Sequence, residues 1–200
     1  MQIIKITLQD PKQQIIKRVA DVIRNGEILV YPTDTCYGLG VDPENKKAVL
    51  NLAKLKGRPR NKKFSVVMRD LKMIKDYCIV GARQEKILKK YLPGPFTFIL
   101  KEKTGDETLG VRIPDCIFTQ KLSNELQIPY TATSANLSGA GECYEIDCVL
   151  KQFKKSEIKP DLILDGGELK QNPPSTVVDL TQSQSKILRQ GRGQILPSHS

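Results

Sequence analysis

The sequence contains a single histidine and no tryptophan, and that histidine, His199, is the last residue but one of 200. Ser-His-Asp triads, Cys-His nucleophile pairs and histidine-ligated zinc sites all need an imidazole held in place by its surroundings. A histidine in the polar tail 196–200 does not meet that requirement. We therefore expect any chemistry to depend on lysines, arginines, hydroxyl groups, carboxylates or a recruited metal.

A long apolar run is also absent. The N-terminal segment MQIIKITLQD has no extended apolar core and no cleavage site, and no segment approaches the ~20 apolar residues of a membrane span. No two of the five cysteines have CxxC spacing, and an odd number cannot all pair. We interpret them as reduced, mostly buried thiols of a cytoplasmic protein. They are Cys36, Cys78, Cys116, Cys143 and Cys148.

Two common nucleotide-binding motifs are missing as well. No GxxxxGK[ST] segment occurs, which excludes a P-loop. Gly139 and Gly141 are followed by Tyr144 where a dinucleotide-binding fingerprint has its third glycine. If the protein binds a nucleotide, it uses another kind of site.

What the sequence does contain is typical of one basic globular domain. Hydrophobic residues make up 39% of the chain and charged residues 27%, and the net charge is +10. We expect one domain over residues 1–195 followed by the polar tail 196–200. The positive charge favours polyanionic partners or substrates rich in phosphate.

Helical and strand patterns alternate along the chain. Helices are predicted at residues 11–25, 45–56, 83–91 and 118–126. Strands are predicted at residues 27–31, 64–68, 96–100, 109–113, 129–133, 162–164, 176–180 and 186–188. Short loops and a charged turn at 104–106 argue against a strictly parallel sheet. The fold class is therefore α/β, a single domain built on a large, twisted, mixed sheet with flanking helices.

Four segments place small hydroxyl or amide residues, or fixed cations, just beyond a buried element. They are PTDTCYGLG at 32–40, KGRPRNKK at 56–63, TATSANLSG at 131–139, and PSTVVD at 174–179 with ILRQG at 187–191. A fifth feature is Arg112, which interrupts an apolar strand in GVRIP. Hydroxyls and cations in such positions are able to bind a polar, anionic ligand.

Each segment taken alone also has a purely structural interpretation. The first fits a turn with Asx and Ser/Thr hydrogen bonds. The cations of the second complement the C-terminal end of a helix dipole. The third fits a helix N-cap, and the fourth an edge strand. Arg112 fits a salt bridge as well as a ligand site.

Taken together, the ordered motifs resemble the YrdC-like threonylcarbamoyl-AMP synthase family in its single-domain form. The resemblance rests on PTDTCYGLG, KGRPRNK, GVRIP, TSANLSG, STVVD and LRQG, in that order over nearly the whole chain. It implies a twisted α/β sheet around a concave, basic cavity. It also implies condensation of L-threonine, bicarbonate or CO2, and ATP to threonylcarbamoyl-AMP and pyrophosphate. That product serves the threonylcarbamoyladenosine modification of tRNA.

The resemblance further implies roles for individual residues. Lys56 with Arg58 corresponds to a KxR pair and Ser134 with Asn136 to an SxN pair, both catalytic and on the nucleotide side. Further ATP contacts fall on Lys62, Thr108 and Arg189. L-threonine contacts fall on Thr35, Arg112 and Ser175. No metal ligand is implied, although Mg²⁺ is expected to accompany ATP. The sequence departs from the family at Lys63, often proline, and at Glu142, where members often offer a different ATP contact.

Two other functions compete with this prediction. A non-catalytic module that binds double-stranded RNA or tRNA would suit the net charge of +10, but the chain lacks an RNP-like aromatic signature. Carbamoyl transfer of the hydrogenase-maturation type would require an acylphosphatase segment and zinc-finger cysteines, which the chain lacks. If the synthase prediction holds, a downstream threonylcarbamoyl-transferase machinery is the expected partner, and no membrane is involved.

Overall fold

The computed structural model describes residues 1–59 and 63–195, so Lys62 and the predicted tail 196–200 lie outside the described residues. The strands are β1 (Gln2–Lys5), β2 (Leu29–Pro32), β3 (Tyr37–Gly40), β4 (Ser65–Val67), β5 (Phe96–Lys101), β6 (Thr108–Arg112), β7 (Tyr130–Ser134), β8 (Leu162–Asp165), β9 (Thr176–Asp179) and β10 (Lys186–Arg189). The helices are α1 (Gln13–Arg24), α2 (Lys46–Lys56), α3 (Leu71–Tyr77), α4 (Ala82–Tyr91), α5 (Ile117–Leu126) and α6 (Ile146–Phe153).

The described strands form one mixed sheet in the order β1-β8-β2-β3-β7-β4-β6-β5-β9-β10. Parallel pairs, such as β2 with β8 and β4 with β6, are combined with antiparallel pairs, such as β3 with β7. β5 and β6 are antiparallel neighbours, with Phe98 opposite Val111. The predicted α/β class, the mixed sheet and the pairing of β5 with β6 are confirmed.

Helices cover both faces of this sheet. Val30 of β2 belongs to a buried cluster with residues of α2 and α6. Its neighbour Tyr31 belongs to a second buried cluster with residues of α1 and α5. Because successive side chains of a strand point to opposite faces, the two helix pairs lie on opposite sides of the sheet. A third cluster packs α3 and α4 against Phe98 of β5.

Local signals explain why α2 begins and ends where it does. The side chain of Asn45 accepts a hydrogen bond of 3.0 Å from the backbone N–H of Ala48, which caps the N-terminus. Gly57 adopts a left-handed conformation with φ of 62° and ends the helix after Lys56. The predicted boundaries are thus confirmed to within a residue, and Lys56 and Arg58 lie on either side of the glycine that ends the helix.

The sequence patterns did not reveal β1, β3, α3 or α6. β3 contains Gly38 and Gly40, and glycine weakens the pattern of a strand. Glycine nevertheless fits there, because a Cβ at Gly40 would lie 3.0 Å from the buried ring of Tyr31, which would have to shift. α3 has seven residues and α6 eight, which gives little room for helical periodicity. No helix among the described residues is long and apolar enough to span a membrane.

Candidate active site

A cavity of about 240 Å³ lies where the central strands meet the segments that follow β2 and α2 and precede β9. The side chains around it are mainly hydroxyl-bearing and cationic. Its described lining residues are Tyr31, Thr33, Thr35, Cys36, Gly38, Arg58, Ser65, Thr97, Arg112, Ala132, Thr133, Ser134, Glu142, Pro174, Ser175, Val177 and Arg189. The lining contains three arginines and one glutamate, so its net positive charge favours an anionic ligand.

Lys56 joins the KxR segment directly to the SxN segment. Its ammonium donates hydrogen bonds to the backbone oxygens of Ser134 (2.6 Å) and Asn136 (2.9 Å) and to Oδ1 of Asn136 (3.1 Å). These three acceptors use its three hydrogens. Burial, reinforced by the positive charge of Arg58, lowers the pKa of Lys56 to about 8. Lys56 is therefore a buried cation that lies behind the cavity wall. From there it binds the backbone of Ser134 and Asn136.

Ser134 and Asn136 are held against each other at the end of β7. The hydroxyl of Ser134 donates to Oδ1 of Asn136 at 2.6 Å. The amide nitrogen of Asn136 donates to the backbone oxygen of Ala140 at 2.5 Å. Ser134 lines the cavity, whereas Asn136 is buried beneath it. The hydroxyl of Ser134 is thus available to a ligand, while the amide of Asn136 stabilises the loop that follows β7.

Arg58 enters the cavity from the loop after α2. Its Nη2 donates to the backbone oxygen of Lys63 at 2.7 Å, and its guanidinium lies 4.7 Å from the ring centre of Phe64. Its Nε is buried and has no hydrogen-bond partner among the described residues. Burial lowers the pKa of Arg58. A planar cation that lines the cavity and is held from two sides is suited to bind a phosphate group.

Lys63 anchors this loop to the β5–β6 hairpin. Its ammonium forms ion pairs with the carboxylates of Glu102 (2.7 Å) and Glu107. Partial burial acts against the charged form, but the two carboxylates prevail and raise the pKa of Lys63. The departure from the family pattern at this position therefore brings ion pairs that a proline could not form.

Thr35 lies in a turn of hydroxyl groups after β2. Its Oγ1 is 3.1 Å from Oγ1 of Thr33, which also accepts from the backbone N–H of Thr35 at 3.1 Å. Cys36 follows at the cavity wall, and burial raises the pKa of its thiol to about 11. The thiol therefore stays protonated at neutral pH, and Thr35 and Thr33 supply the polar contacts of this wall.

Arg112 forms a buried ion pair that the sequence analysis considered but could not assign. Its Nη2 lies 2.5 Å from Oδ1 of Asp34, and the two side chains are 10% and 4% exposed. Arg112 lines the cavity, but Asp34 does not. Asp34 belongs to the PTDTCYGLG motif, so the sequence draws attention to its carboxylate. Its pairing with Arg112 could not be predicted from a local pattern, because the two residues are 78 positions apart.

Ser175 and Arg189 meet at the other wall. The hydroxyl of Ser175 is 2.9 Å from that of Thr97, because β9 pairs in parallel with β5. Arg189 donates to the backbone oxygen of Ser175 at 2.9 Å and to its hydroxyl at 3.2 Å. Residues predicted for different substrates, Ser175 for L-threonine and Arg189 for ATP, are thus in direct contact.

The cavity does not include every predicted residue. Thr108 is exposed at the start of β6, opposite Lys101, and does not line the cavity. Lys62 lies outside the described residues. The predicted residues that do line the cavity are Thr35, Arg58, Arg112, Ser134, Ser175 and Arg189. Thr33 lies in the segment 32–40 that the sequence singled out, although no role was assigned to it. Sequence analysis missed Ser65 and Thr97, whose lone hydroxyls in strands carry no recognisable signal.

The prediction that the cysteines are all reduced thiols is wrong for two of them. Cys143 and Cys148 form a disulfide, with their Cα atoms 5.5 Å apart, and Cys36, Cys78 and Cys116 are free. CxxC spacing is not needed here, because Cys148 lies in the first turn of α6, five residues after Cys143. That brings the Cα atoms within the range a disulfide can bridge. The disulfide ties the segment that carries Glu142 to α6.

Glu142 is the one carboxylate among the described residues that line the cavity. No cluster of three or more histidine, cysteine or acidic side chains that could hold a metal occurs among the residues described. Mg²⁺ does not need such a cluster, because it commonly binds through one or two carboxylates together with substrate phosphates. A single carboxylate in a basic cavity fits that mode of binding.

Comparison with known proteins places this site in a family. The Sua5/YciO/YrdC family model, described as telomere recombination, matches residues 21–191. A Methanocaldococcus jannaschii protein, provisionally named a threonylcarbamoyl-AMP synthase, is 34% identical over 189 residues that cover 92% of this chain and 88% of the relative. Escherichia coli YciO, named as uncharacterized, is 33% identical over 198 residues that cover 94% of both chains.

Solved structures are similar as well. The crystal structure of P. abyssi Sua5 complexed with L-threonine matches with a TM-score of 0.86 and 28% identity. That match covers 96% of this chain but 58% of Sua5, so the chain spans less than two thirds of that protein. The crystal structure of E. coli YciO matches with a TM-score of 0.87 and 30% identity over 96% of this chain and 97% of YciO.

Proposed function

This chain belongs to the Sua5/YciO/YrdC family, and we propose that it is an L-threonylcarbamoyladenylate synthase. The reaction joins L-threonine, bicarbonate or CO2, and ATP, and releases pyrophosphate. One observation carries the proposal: Arg58 with Ser134, and Arg112 with Thr35 and Ser175, line the same cavity. Ser134 at the end of β7 and Arg112 at the end of β6 are separated by β4. That separation suits a nucleotide phosphate beside an amino acid.

The chemistry requires two bond-forming steps. The amine of L-threonine adds to the carbon of CO2 and loses a proton, which yields a carbamate. A carbamate oxygen then attacks the α-phosphorus of ATP, and the bond from that phosphorus to the pyrophosphate oxygen breaks. Negative charge grows on the transferred phosphate and on pyrophosphate, and fixed cations stabilise it. This chemistry does not require a histidine.

On the nucleotide side, some residues contact the ligand, and others hold those residues in place. Arg58 donates to the phosphates, whereas the hydroxyl of Ser134, whose hydrogen is donated to Oδ1 of Asn136, offers an acceptor to the nucleotide. Lys56 contributes positive charge from behind the wall and holds the SxN segment in place. Arg189 and Lys62 remain proposed ATP contacts, and Thr108, which lies outside the cavity, would contact only a part of ATP that extends beyond it. Mg²⁺ bound with ATP would neutralise phosphate charge, and Glu142 would be its ligand on this chain.

On the other side, Arg112 binds the carboxylate of L-threonine by charge-assisted hydrogen bonds. Thr35 and Ser175 provide hydroxyls for the amine and the side-chain hydroxyl of the substrate. We further propose that the product serves threonylcarbamoyladenosine formation in tRNA, through a transferase partner in the cytoplasm. The basic charge of the chain would also allow direct contact with tRNA.

The proposal is tested by incubating the purified protein with ATP, bicarbonate, Mg²⁺ and L-threonine. Pyrophosphate is followed over time, and mass spectrometry detects threonylcarbamoyl-AMP. L-serine and a mixture without amino acid are the controls. Pyrophosphate release that depends on L-threonine, together with the adenylate, supports the synthase. Absence of both products from folded protein would refute it.

The net charge of +10 favours a second candidate, a non-catalytic module that binds double-stranded RNA or tRNA. Its affinity should fall steeply as salt rises, because binding would depend on contacts with phosphates. Tight, salt-sensitive RNA binding without threonine-dependent pyrophosphate release would favour this candidate over the synthase.

A further inference from the structure

The cation proposed to bind the amino-acid carboxylate is already paired inside the protein. Arg112 and Asp34 form an ion pair of 2.5 Å, and both side chains are at least nine-tenths buried. Arg112 reaches the cavity, whereas Asp34 does not line it. The carboxylate of Asp34 therefore acts on a ligand through Arg112.

Asp34 is itself fixed by segments from the end of the chain. Its backbone oxygen accepts hydrogen bonds from the side chains of Asn172 (3.3 Å) and Arg192 (3.0 Å). Oδ2 of Asp34 and Nε of Arg112 are buried and have no hydrogen-bond partner among the described residues. The pair is thus held by its mutual charge and by the fixed backbone of Asp34, with little other polar support.

This arrangement changes which anions Arg112 attracts. An unpaired arginine in a site shielded from water attracts a phosphate more strongly than a carboxylate, because the phosphate carries more charge. A neighbouring carboxylate cancels part of that attraction and repels a second anion in proportion to the charge of that anion. A paired arginine therefore discriminates against phosphate, while a zwitterionic amino acid meets much less repulsion.

We infer that Asp34 is a positioning residue that makes the Arg112 end of the cavity selective for an amino-acid carboxylate over phosphate. The inference rests on the proposed function, in which ATP occupies the same cavity. Without Asp34, phosphate groups of ATP or pyrophosphate would compete for Arg112. With Asp34, the triphosphate is directed to the Arg58 side, and the Arg112 side remains open to L-threonine.

The test compares wild type with Asp34→Asn, which keeps the shape and an acceptor but removes the charge. Binding of L-threonine is measured by calorimetry without ATP, and the affinity of inorganic phosphate for the Arg112 side is measured as its competition with L-threonine, so that phosphate bound at Arg58 is not counted. Since a neighbouring charge commonly changes the affinity of a buried charged group for an ion about tenfold, we expect the preference for L-threonine over phosphate to fall about tenfold. Asp34→Glu, which restores the charge, should recover most of it. Asp106→Asn removes a carboxylate from the exposed β5–β6 turn and should leave the preference unchanged.

A merely structural role gives a different result. If Asp34→Asn weakens both ligands equally, or changes neither, the inference is overturned, even if the synthase activity stands. If wild type forms no threonylcarbamoyl-AMP but its ligand preference still falls in Asp34→Asn, the proposed reaction fails and the selectivity role stands. Circular dichroism and thermal unfolding establish that each variant is folded before binding is compared.

Discussion

The ammonium of Lys56 lies 2.6 Å from the backbone oxygen of Ser134, across 78 residues of sequence. This contact joins the end of α2 to the end of β7 and makes one unit of two motifs that are far apart in the chain. It also explains why a lysine is needed in a buried position. Three acceptors that converge on one point require three hydrogens, and the ammonium supplies them.

The lowered pKa of Lys56 predicts a loss of activity at alkaline pH. Because burial and Arg58 bring this pKa to about 8, the ammonium loses a proton above that pH, and both a donor and a positive charge disappear. We expect kcat/KM for ATP to fall about tenfold per pH unit above pH 8, since this parameter reports the free enzyme. Pyrophosphate release from pH 6.5 to 10 measures it. Lys56→Arg keeps its charge and should lack this decline, and the same decline in that variant would contradict the assignment.

Removal of the Arg58 guanidinium should affect turnover more than stability. Arg58→Ala is expected to lower kcat by on the order of 10²-fold, as the loss of a transition-state donor commonly does. Steady-state pyrophosphate release measures the effect. Arg24→Ala removes an exposed arginine of α1, whose side chain is 42% exposed, and serves as the matched control. Wild-type turnover in Arg58→Ala would remove Arg58 from the reaction.

The disulfide should be detectable by counting thiols and by unfolding. Without reductant, the denatured protein should show three reactive thiols, from Cys36, Cys78 and Cys116. Cys148→Ser should lower the free energy of unfolding by about 2 kcal/mol, because a short closed loop no longer restricts the unfolded chain. Urea unfolding measures the change, and reductant should lower wild-type stability to a similar extent. Five reactive thiols in the oxidised protein would refute the disulfide.

Gly191 should tolerate no side chain, because a Cβ there would lie 2.0 Å from the backbone oxygen of Pro174. Gly191→Ala must displace the segment that carries Ser175, and with it the 2.9 Å contact between Ser175 and Thr97. We expect a loss of about 1–3 kcal/mol in stability, as overpacking usually costs, and a higher KM for L-threonine. Thermal unfolding and initial rates measure these effects. In Gly141→Ala the added Cβ meets nothing within 4 Å, so a melting temperature equal to that of Gly191→Ala would contradict the steric argument.

The sequence alone was sufficient for the features that depend on neighbouring residues. The alternation of helices and strands, the end of α2 at Gly57 and the hairpin of β5 and β6 follow from local periodicity, glycine conformation and turn composition. The ordered motifs also identified the family. Short or glycine-containing elements such as α3 and β3 lack enough periodic residues to be recognised in this way.

Only the tertiary structure decided which of those residues meet. Arg112 finds Asp34, and Thr97 finds Ser175, each across 78 residues, because the sheet order brings their segments together. The same order leaves Thr108 outside the cavity, although the resemblance implied an ATP contact there. A pattern along the chain records which side chains are available. Their partners depend on the pairing of distant strands, which no local pattern specifies.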